Sequence, residues 1–549
     1  MKLSTQTVAL LWILVAAIFF IPFLGNVHLF DWDEINFAEI AREMNVSGNY
    51  GEPQINFMPF TEKPPLFFWL QAISMKLFGV NEFAARFPNA LLGVMVMPLI
   101  YNVGKKLRDH QFGILWSLVY FGTILPHLYF KSGIIDPWFN FFIFSSVYCL
   151  IQSAFNTQQK RSSTSWIIAG GIFLGLAVLT KGPAAILIVG LTFLTCWVMK
   201  KFRKVISFPN LIHYGVATLL ITGIWFGINY LQRGDKFLID FTVRQWELLT
   251  SADAGHKGFF LFHFVMILFG CFPASVFLIR AFWGRTDEDE KLNLFKKWMA
   301  VLFWVVLILF TLVKTKIVHY SSLCYYPLSF LAAWSLYNIV TGKWKMERWM
   351  RILLVVTSFP FIVAPIGAAW VGQHIDKVSP YVKVEDIDAD ITANVAWSGW
   401  EFLPGLLLLI VVVLSLIWFK QQKNRRAIYL LFIGTAVYMQ ISLFFFIGRV
   451  EGYSQRAPIE FWQSHADEDC YMTTYHYASY TQYYYGKARP YPNKNYTDKD
   501  WLLTGDVDKK VYIICQFRHK ADLERELPDA KYLYSKNGFY FYERPPVFK

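Results

Sequence analysis

Charge is what this sequence has least of. Only 17% of its 549 residues are Asp, Glu, Lys or Arg, where a soluble protein of that size carries about a quarter. An ordinary water-soluble globule is therefore excluded. Cysteine is scarce as well. There are six, none in CxxC spacing, which argues against a cysteine-zinc centre. Cys149, Cys196, Cys271 and Cys324 fall in apolar stretches and read as small core residues. Cys470 and Cys515 lie in the C-terminal tail and could pair in an oxidising compartment. No DNA- or RNA-binding motif is visible. The net charge of +13 comes from basic residues in short loops, so membrane topology explains it better than nucleic acid does. No convincing internal repeat is present, and the charges fall at the ends of apolar runs rather than in their middles. Both points weigh against a transporter.

What the chain does have is apolar runs of near-membrane length. Thirteen are expected, near 6–24, 84–104, 111–129, 134–156, 165–180, 183–199, 210–231, 259–280, 298–314, 319–340, 350–372, 402–419 and 427–448. The first follows Lys2 and resembles a signal peptide, but no small-x-small cleavage site follows, so it reads as a retained span. Basic clusters recur in alternate loops: Lys105, Lys106 and Arg108; Lys160 and Arg161; Lys200, Lys201, Arg203 and Lys204. The series continues with Arg280, Arg285, Lys291, Lys296 and Lys297, with Lys343, Lys345, Arg348 and Arg351, and with Lys420, Lys423, Arg425 and Arg426. The positive-inside rule makes these loops cytoplasmic. The N-terminus is then expected inside and residues 449–549 outside. The outer loop 373–401 is acidic, with Asp376, Glu385, Asp386, Asp388 and Asp390.

Two domains are expected: 1–448 in the membrane, and an α/β domain over 449–549. In the second, CYMTTYHY (470–477), VYIICQF (511–517) and KYLYSKNGFYFYE (531–543) read as strands. Asn537-Gly538 is a hairpin turn signal. ASYTQYYYGK and HKADLERELP read as helices between the strands.

The candidate chemistry lies on the outer face. In the first outer loop, 25–83, residues 34–46 are expected to form an amphipathic helix lying in the membrane interface. Asp31, Asp33 and Glu34 sit just before or at its start, where Asp33 could simply cap it. Glu62-Lys63 precedes Pro64-Pro65 and could be a salt-bridged loop before a proline-stiffened helix entry. Lys181 in Thr180-Lys181-Gly182-Pro183 could merely snorkel. Lys131 and Asp136 flank another outer edge, and Arg244, His256 and Lys257 lie in the loop 232–258. Lys314, Lys316, His319 and Tyr320 cross a further edge. A single histidine is more often structural than a ligand. Together, though, Asp33, Glu62, Lys63, Lys181, His256 and Lys316 share one face. Ionisable groups near hydrocarbon tend to mark function, and carboxylates mixed with cations suit an anionic, phosphate-bearing substrate beside an acid/base centre. A Glu and a His could also share a divalent metal.

DE-x-x-F-A-E-I-A-R-E-M (33–44) followed by T-E-K-P-P-L-F-F-W (61–69) resembles the bacterial lipid A aminoarabinose transferases and the related protein O-mannosyltransferases. FAARFPNAL (83–91), which contains Arg86, adds to the likeness. So do Asp136 after a basic residue, T-K-G-P (180–183), and K-T-K-x-x-H-Y (314–320) leading into Tyr326-Pro327. The resemblance implies a GT-C fold and transfer of a sugar from a polyprenyl-phosphate donor. That would account for the lack of a nucleotide-sugar domain. The donor tail would enter from the bilayer, and a lipid, glycan or protein acceptor from outside. It also implies a bacterial inner-membrane location. Asp33 matches the catalytic aspartate, with Glu34 beside it. Glu62 matches a metal-binding glutamate with His256 as its partner, zinc being the expected metal. Lys63 and Tyr320 match residues near the donor phosphate, where Lys181, Lys316 and Lys257 are further candidates. Arg86, Asp136 and Arg244 complete the set. One departure is Asn36-Phe37, where aminoarabinose transferases commonly carry Arg-Tyr. Competing expectations are protein O-glycosylation, a glycolipid flippase and a non-catalytic scaffold; the last leaves the Asp33/Glu62/Lys63 grouping unexplained.

Overall fold

The computed structural model describes residues 4–250, 258–284, 289–378 and 393–547. His256, Lys257, Arg285 and the acidic residues at 385–390 lie outside the described residues. The chain is mostly helical, with a small mixed sheet near its C-terminus.

Each expected span corresponds to a helix or to an interrupted run of helix. Among the described residues, however, only eight helices are long and apolar enough to cross a membrane: Glu82–Leu107, Asp136–Gln158, Thr164–Lys181, Phe208–Arg233, Glu290–Leu312, Arg348–Gln373, Leu403–Lys420 and Asn424–Ser454. A ninth is obtained if the pair Phe262–Gly270 and Ala274–Trp283, bent by 112°, counts as one. The count of thirteen is not confirmed. The other expected spans are short, as in Thr5–Phe20 and Ala184–Met199, or broken, as in His110–Phe121 and Ile124–Tyr129. The expected span 319–340 starts as a 3-10 turn, Val318–Cys324, and becomes α-helix only at Tyr325–Val340.

The helix Glu82–Leu107 illustrates the local logic. The Asn81 side chain accepts from the Ala84 N–H at 2.8 Å, Glu82 sits in the first turn, and Lys105 and Lys106 sit in the last. Each places charge or a lone pair where the helix dipole favours it. Pro88 and Pro98 lie inside this helix, as neighbouring helices in a membrane allow. Large apolar side chains such as Leu219, Ile224 and Phe359 are 61–69% exposed, as lipid-facing residues are.

The helix of the first outer loop, Asp33–Ser47, corrects an expectation. It does not lie half-wetted in the interface. Residues 34–44 are all buried, wedged between the helix Leu66–Phe78 and the C-terminal region. Ile35, Ala38 and Ala41 share a core with Ile459, Trp462, Tyr484 and Phe541. The charged residues survive burial by pairing with each other: Arg42 holds Glu39 through two bonds of 2.7 Å. Gly48, at φ +73°, ends the helix in the left-handed conformation, its N–H on the Met44 carbonyl.

A two-residue hairpin, β1 (Gln54–Ile55) and β2 (Met58–Pro59), follows. The tail forms a four-stranded sheet from β3 (Tyr471–Tyr475), β4 (Val511–Gln516), β5 (Lys531–Lys536) and β6 (Phe539–Arg544), in the order β3-β4-β6-β5. β3 runs parallel to β4, and the other pairs are antiparallel. Asn537 and Gly538 both have positive φ, the two-residue turn that joins twisted strands. The two expected helices are present as Thr481–Tyr484 and Lys520–Glu526. Cys470 and Cys515 are both free. Tyr471 faces Val511 and Tyr475 faces Cys515, so the two thiols lie at opposite ends of the strand pair, roughly 16 Å apart at strand rise. A bridge between them is ruled out.

Candidate active site

Asp33 is the first residue of its helix, and the residue before it, Trp32, makes no side-chain cap bond. The carboxylate of Asp33 instead points at His319: its Oδ2 lies 3.3 Å from His319 Nε2. His319 sits in the 3-10 turn Val318–Cys324 and is within electrostatic reach of Asp136, Lys181, Asp33 and Lys63. One histidine thus joins four sequence-distant segments.

Lys181 ends the helix Thr164–Lys181, and Asp136 begins Asp136–Gln158. Lys181 Nζ donates to Asp136 Oδ1 at 2.6 Å and stands 5.4 Å above the Tyr320 ring, a cation–π distance. Lys181 is therefore pinned rather than snorkelling. Asp136 is 2% exposed, and among the described residues its Oδ2 has no hydrogen-bond partner. Glu62 pairs with Lys63 through Oε1 and with Arg244 Nη2 through Oε2 at 3.0 Å. Arg244 comes from the helix Asp235–Thr250, within the expected outer loop 232–258; its neighbour Gln245 also donates to the Glu62 carbonyl at 2.9 Å. Burial pushes Glu62 up, but Lys63 and Arg244 outweigh it and hold the carboxyl below its ordinary range.

Two expected site residues are engaged in holding the fold. Glu34 is buried with both oxygens taken. Oε2 accepts from Arg86 Nη2 at 2.7 Å and from the Phe30 N–H at 3.0 Å, and Oε1 accepts from Arg86 Nε at 3.1 Å and the Gly133 N–H at 2.5 Å. Arg86 spends its remaining donors on the carbonyls of Leu24, Val27 and His28. The pair staples the loop that carries Asp33 and leaves Glu34 no oxygen to offer a substrate. Lys316 is the second correction. Its three donors reach the carbonyls of Phe310, Thr311 and Val313 at 3.2, 2.7 and 2.6 Å. It caps the end of Glu290–Leu312, whose carbonyls would otherwise be orphaned, and so has no N–H left for a phosphate. Lys131 does the same for Thr5–Phe20, donating to Phe19 and Pro22.

The C-terminal region grips the segment leading to Asp33. Gln455 donates to the Leu29 carbonyl at 2.6 Å and accepts from the Asp31 N–H at 3.0 Å. Tyr485 Oη accepts from the Leu29 N–H at 2.6 Å, and the Tyr480 N–H donates to Asp31 Oδ1 at 3.3 Å. Burial raises the Asp31 carboxyl to about 6. None of these tail residues was singled out in the sequence, because their role depends on contacts more than 420 residues away.

A divalent metal at Glu62 is not built by the described residues. Both Glu62 oxygens already face cations, and no three His, Cys, Asp or Glu side chains gather as ligands among the described residues. His256 lies outside them.

The family model for dolichyl-phosphate-mannose-protein mannosyltransferases matches residues 8–243. An undecaprenyl phosphate-alpha-4-amino-4-deoxy-L-arabinose arabinosyl transferase of Proteus mirabilis is 26% identical over 406 residues, 72% of this chain and 71% of that one. One of Erwinia tasmaniensis is 29% identical over 334 residues, 59% of this chain and 58% of that one. The crystal structure of ArnT from Cupriavidus metallidurans bound to undecaprenyl phosphate superposes with a TM-score of 0.75 at 15% identity, covering 98% of both chains. The motifs, the sequence matches and the whole-chain superposition agree: the chain is similar in sequence to aminoarabinose transferases and shares the GT-C fold of ArnT.

Proposed function

We propose that the chain is a membrane glycosyltransferase that moves a sugar from an undecaprenyl-phosphate donor to an acceptor at the outer face of a bacterial inner membrane. Aminoarabinose is the favoured sugar and lipid A the favoured acceptor, as the names of the relatives suggest. The observation that carries this reading is the meeting of Asp33 and His319 beside the Lys181–Asp136 and Lys63–Glu62–Arg244 pairs. In the transfer, the bond from the anomeric carbon to the donor phosphate oxygen breaks, and a bond from that carbon to an acceptor oxygen forms. Asp33 orients the acceptor and takes its proton where that oxygen is a hydroxyl. The departing polyprenyl phosphate gains charge, and Lys63 and Lys181 stabilise it.

The basic loops support an N-terminus inside and residues 450–549 outside; labelling of a reporter cysteine in the tail by impermeant reagents tests this. A metal, zinc first, would need to displace Lys63 or Arg244 from Glu62. Elemental analysis of wild type against His256→Ala decides that. Protein O-glycosylation is the second reading, favoured by the mannosyltransferase model over residues 8–243. Mass spectrometry of lipid A and of envelope proteins with and without the gene separates the two. An aminopentose increment on lipid A that vanishes with the gene supports the first, and a sugar lost from proteins alone supports the second.

A further inference from the structure

A cavity of about 500 Å³ lies between the stretch that follows Thr5–Phe20 and the last membrane-length helix, Asn424–Ser454. That is the size of a small-molecule site, roughly 300–1,000 Å³. Phe23, Leu24 and Val27 line it from the first stretch, and Leu443, Phe444 and Ile447 from the helix. Leu443–Ile447 is a π turn with no buried residue. Such turns recur at functional sites inside helices. Phe23 and Phe444 are 55% and 58% exposed and meet edge-on at 6.0 Å, so the rim between the two elements is apolar and matches lipid tails. The polar part of the lining is cationic. Arg86, Lys131 and Arg449 stand against one carboxylate, Glu34. Glu34 is neutralised by Arg86, and Lys131 is held by the Phe19 and Pro22 carbonyls. Arg449 is held by one amino group alone. Its Nη2 donates to Glu401 Oε1 at 2.8 Å, and Glu401 is fixed in turn by the Ser398 and Gly399 N–H groups at 3.0 and 2.8 Å. The Arg449 side chain is 26% exposed, and among the described residues its Nη1 makes no hydrogen bond. An oriented guanidinium with an accessible N–H₂ group suits a phosphate.

We infer that this cavity seats an acyl chain of a phosphate-bearing lipid acceptor, which enters sideways past Phe23 and Phe444 and sets a phosphate on Arg449. The position fits that occupant. Phe30 and Glu34, which flank Asp33 in the chain, belong to the lining. Lys63, Lys181, His319 and Tyr320 do not, and Asp33 Oδ2 is turned toward His319. Transfer brings two substrates to one carboxylate, and the cavity gives the Asp33 segment a second approach beside the one lined by the cations assigned to the donor. An acyl chain that leaves the bilayer for this cavity exchanges one apolar setting for another. Shape therefore admits the chain, and Arg449 supplies the preference for a phosphate-bearing lipid. The assignment rests on the glycosyltransferase reading and favours a lipid over a protein as acceptor.

The test uses full-length protein in detergent and reads binding separately from transfer. Lipid A, dephosphorylated lipid A and phosphatidylglycerol are titrated against wild type, Arg449→Gln, Ile447→Trp and Asp33→Asn, with melting curves to show that each variant is folded. Lipid A should bind wild type about ten-fold more tightly than its dephosphorylated form, the worth of one hydrogen bond to a charged group. Arg449→Gln should erase that difference. Ile447→Trp fills the cavity without touching an ion pair and should weaken both forms. Asp33→Asn keeps the affinity while losing transfer. In turnover assays, Arg449→Gln and Ile447→Trp raise the acceptor KM and leave the donor KM in place. If folded Ile447→Trp binds lipid A as wild type does, or if Arg449→Gln keeps the full preference for the phosphorylated form, the cavity is not the acceptor's seat. Phosphatidylglycerol that binds as tightly as lipid A and is not displaced by it makes the cavity a site for bulk phospholipid, which also overturns the assignment. If the binding pattern holds while wild type transfers no sugar from any polyprenyl-phosphate donor, the lipid seat stands and the transferase reading falls.

Discussion

His319 Nε2 lies 3.3 Å from Asp33 Oδ2, although the two residues are 286 positions apart. The contact fixes which way the carboxylate points. His319 is a positioning residue on this account, and its loss should show in turnover rather than in donor affinity. His319→Ala is expected to lower kcat about ten-fold or more with an unchanged donor KM, in line with general-base chemistry worth about 10²–10⁴-fold. His319→Gln, which can still donate to Asp33, should recover part of the loss. Steady-state kinetics in detergent checks both.

Glu34 and Arg86 should behave as structure. Arg86→Ala leaves a buried carboxylate without its counter-ion, a loss of about 3–5 kcal/mol for buried pairs. The expected result is a large drop in melting temperature in detergent and poor yield of folded protein. Glu34→Gln should also destabilise. Any Glu34→Gln protein that does fold should retain transfer per folded molecule to within a few-fold.

Lys181 and Lys316 are both motif lysines at helix ends, with different expected phenotypes. Lys316→Ala removes three bonds to helix-end carbonyls, each about 1.5–3 kcal/mol for a charged donor, and should lower thermal stability. Lys181→Met removes a cation that, on the proposed reading, stabilises the donor phosphate. It should raise the donor KM and lower kcat, with little gain for a neutral competitor of the donor tail. Thermal melts and donor titrations on the same two preparations separate the roles.

These assignments show what was legible in the sequence. Asp33, Glu62-Lys63 and Lys181 stood in short motifs at the ends of apolar runs, and the structure brings them together. The pairings were not legible. Nothing in a one-dimensional pattern says that Lys181 turns to Asp136 while Lys316 folds back on its own helix, since both are lysines at span ends. Burial of the helix Asp33–Ser47 was hidden for a related reason. Glu39, Arg42 and Glu43 read as a solvated face, but Arg42 and Glu39 neutralise each other. Burial, and then the Glu39 charge, raises Glu43 to about 9, which favours its uncharged form. Hydropathy located the apolar runs but could not see the 112° bend between Phe262–Gly270 and Ala274–Trp283 or the break after Phe121. The sheet was the easiest part to anticipate, because β-branched and aromatic runs flank a clear Asn537-Gly538 turn.

The pH dependence of stability carries one signature of the tail's grip on the active-site loop. Burial raises Asp31 to about 6 from its ordinary 3.8. The Asp33 charge adds to the rise, while Ser479 and the Tyr480 N–H partly offset it. A raised carboxyl favours folding while protonated. That contribution is complete below pH 3.8 and is lost as the pH rises through about 6. Asp31→Asn should therefore gain stability over wild type between pH 4 and 6 and hold a constant advantage from pH 7 to 8. Melting curves of the two proteins across that range check the sign.

On the proposed function, Asp33 is the residue on which sugar transfer from a polyprenyl-phosphate donor depends. Its most direct test is a reaction of purified protein with undecaprenyl-phosphate-linked aminoarabinose and lipid A, followed by mass spectrometry of both lipids. Wild type should yield undecaprenyl phosphate and an aminopentose-bearing lipid A in equal amounts. Asp33→Asn should bind the donor as tightly and form product at least about 10²-fold more slowly. Equal rates for the two proteins would contradict the account.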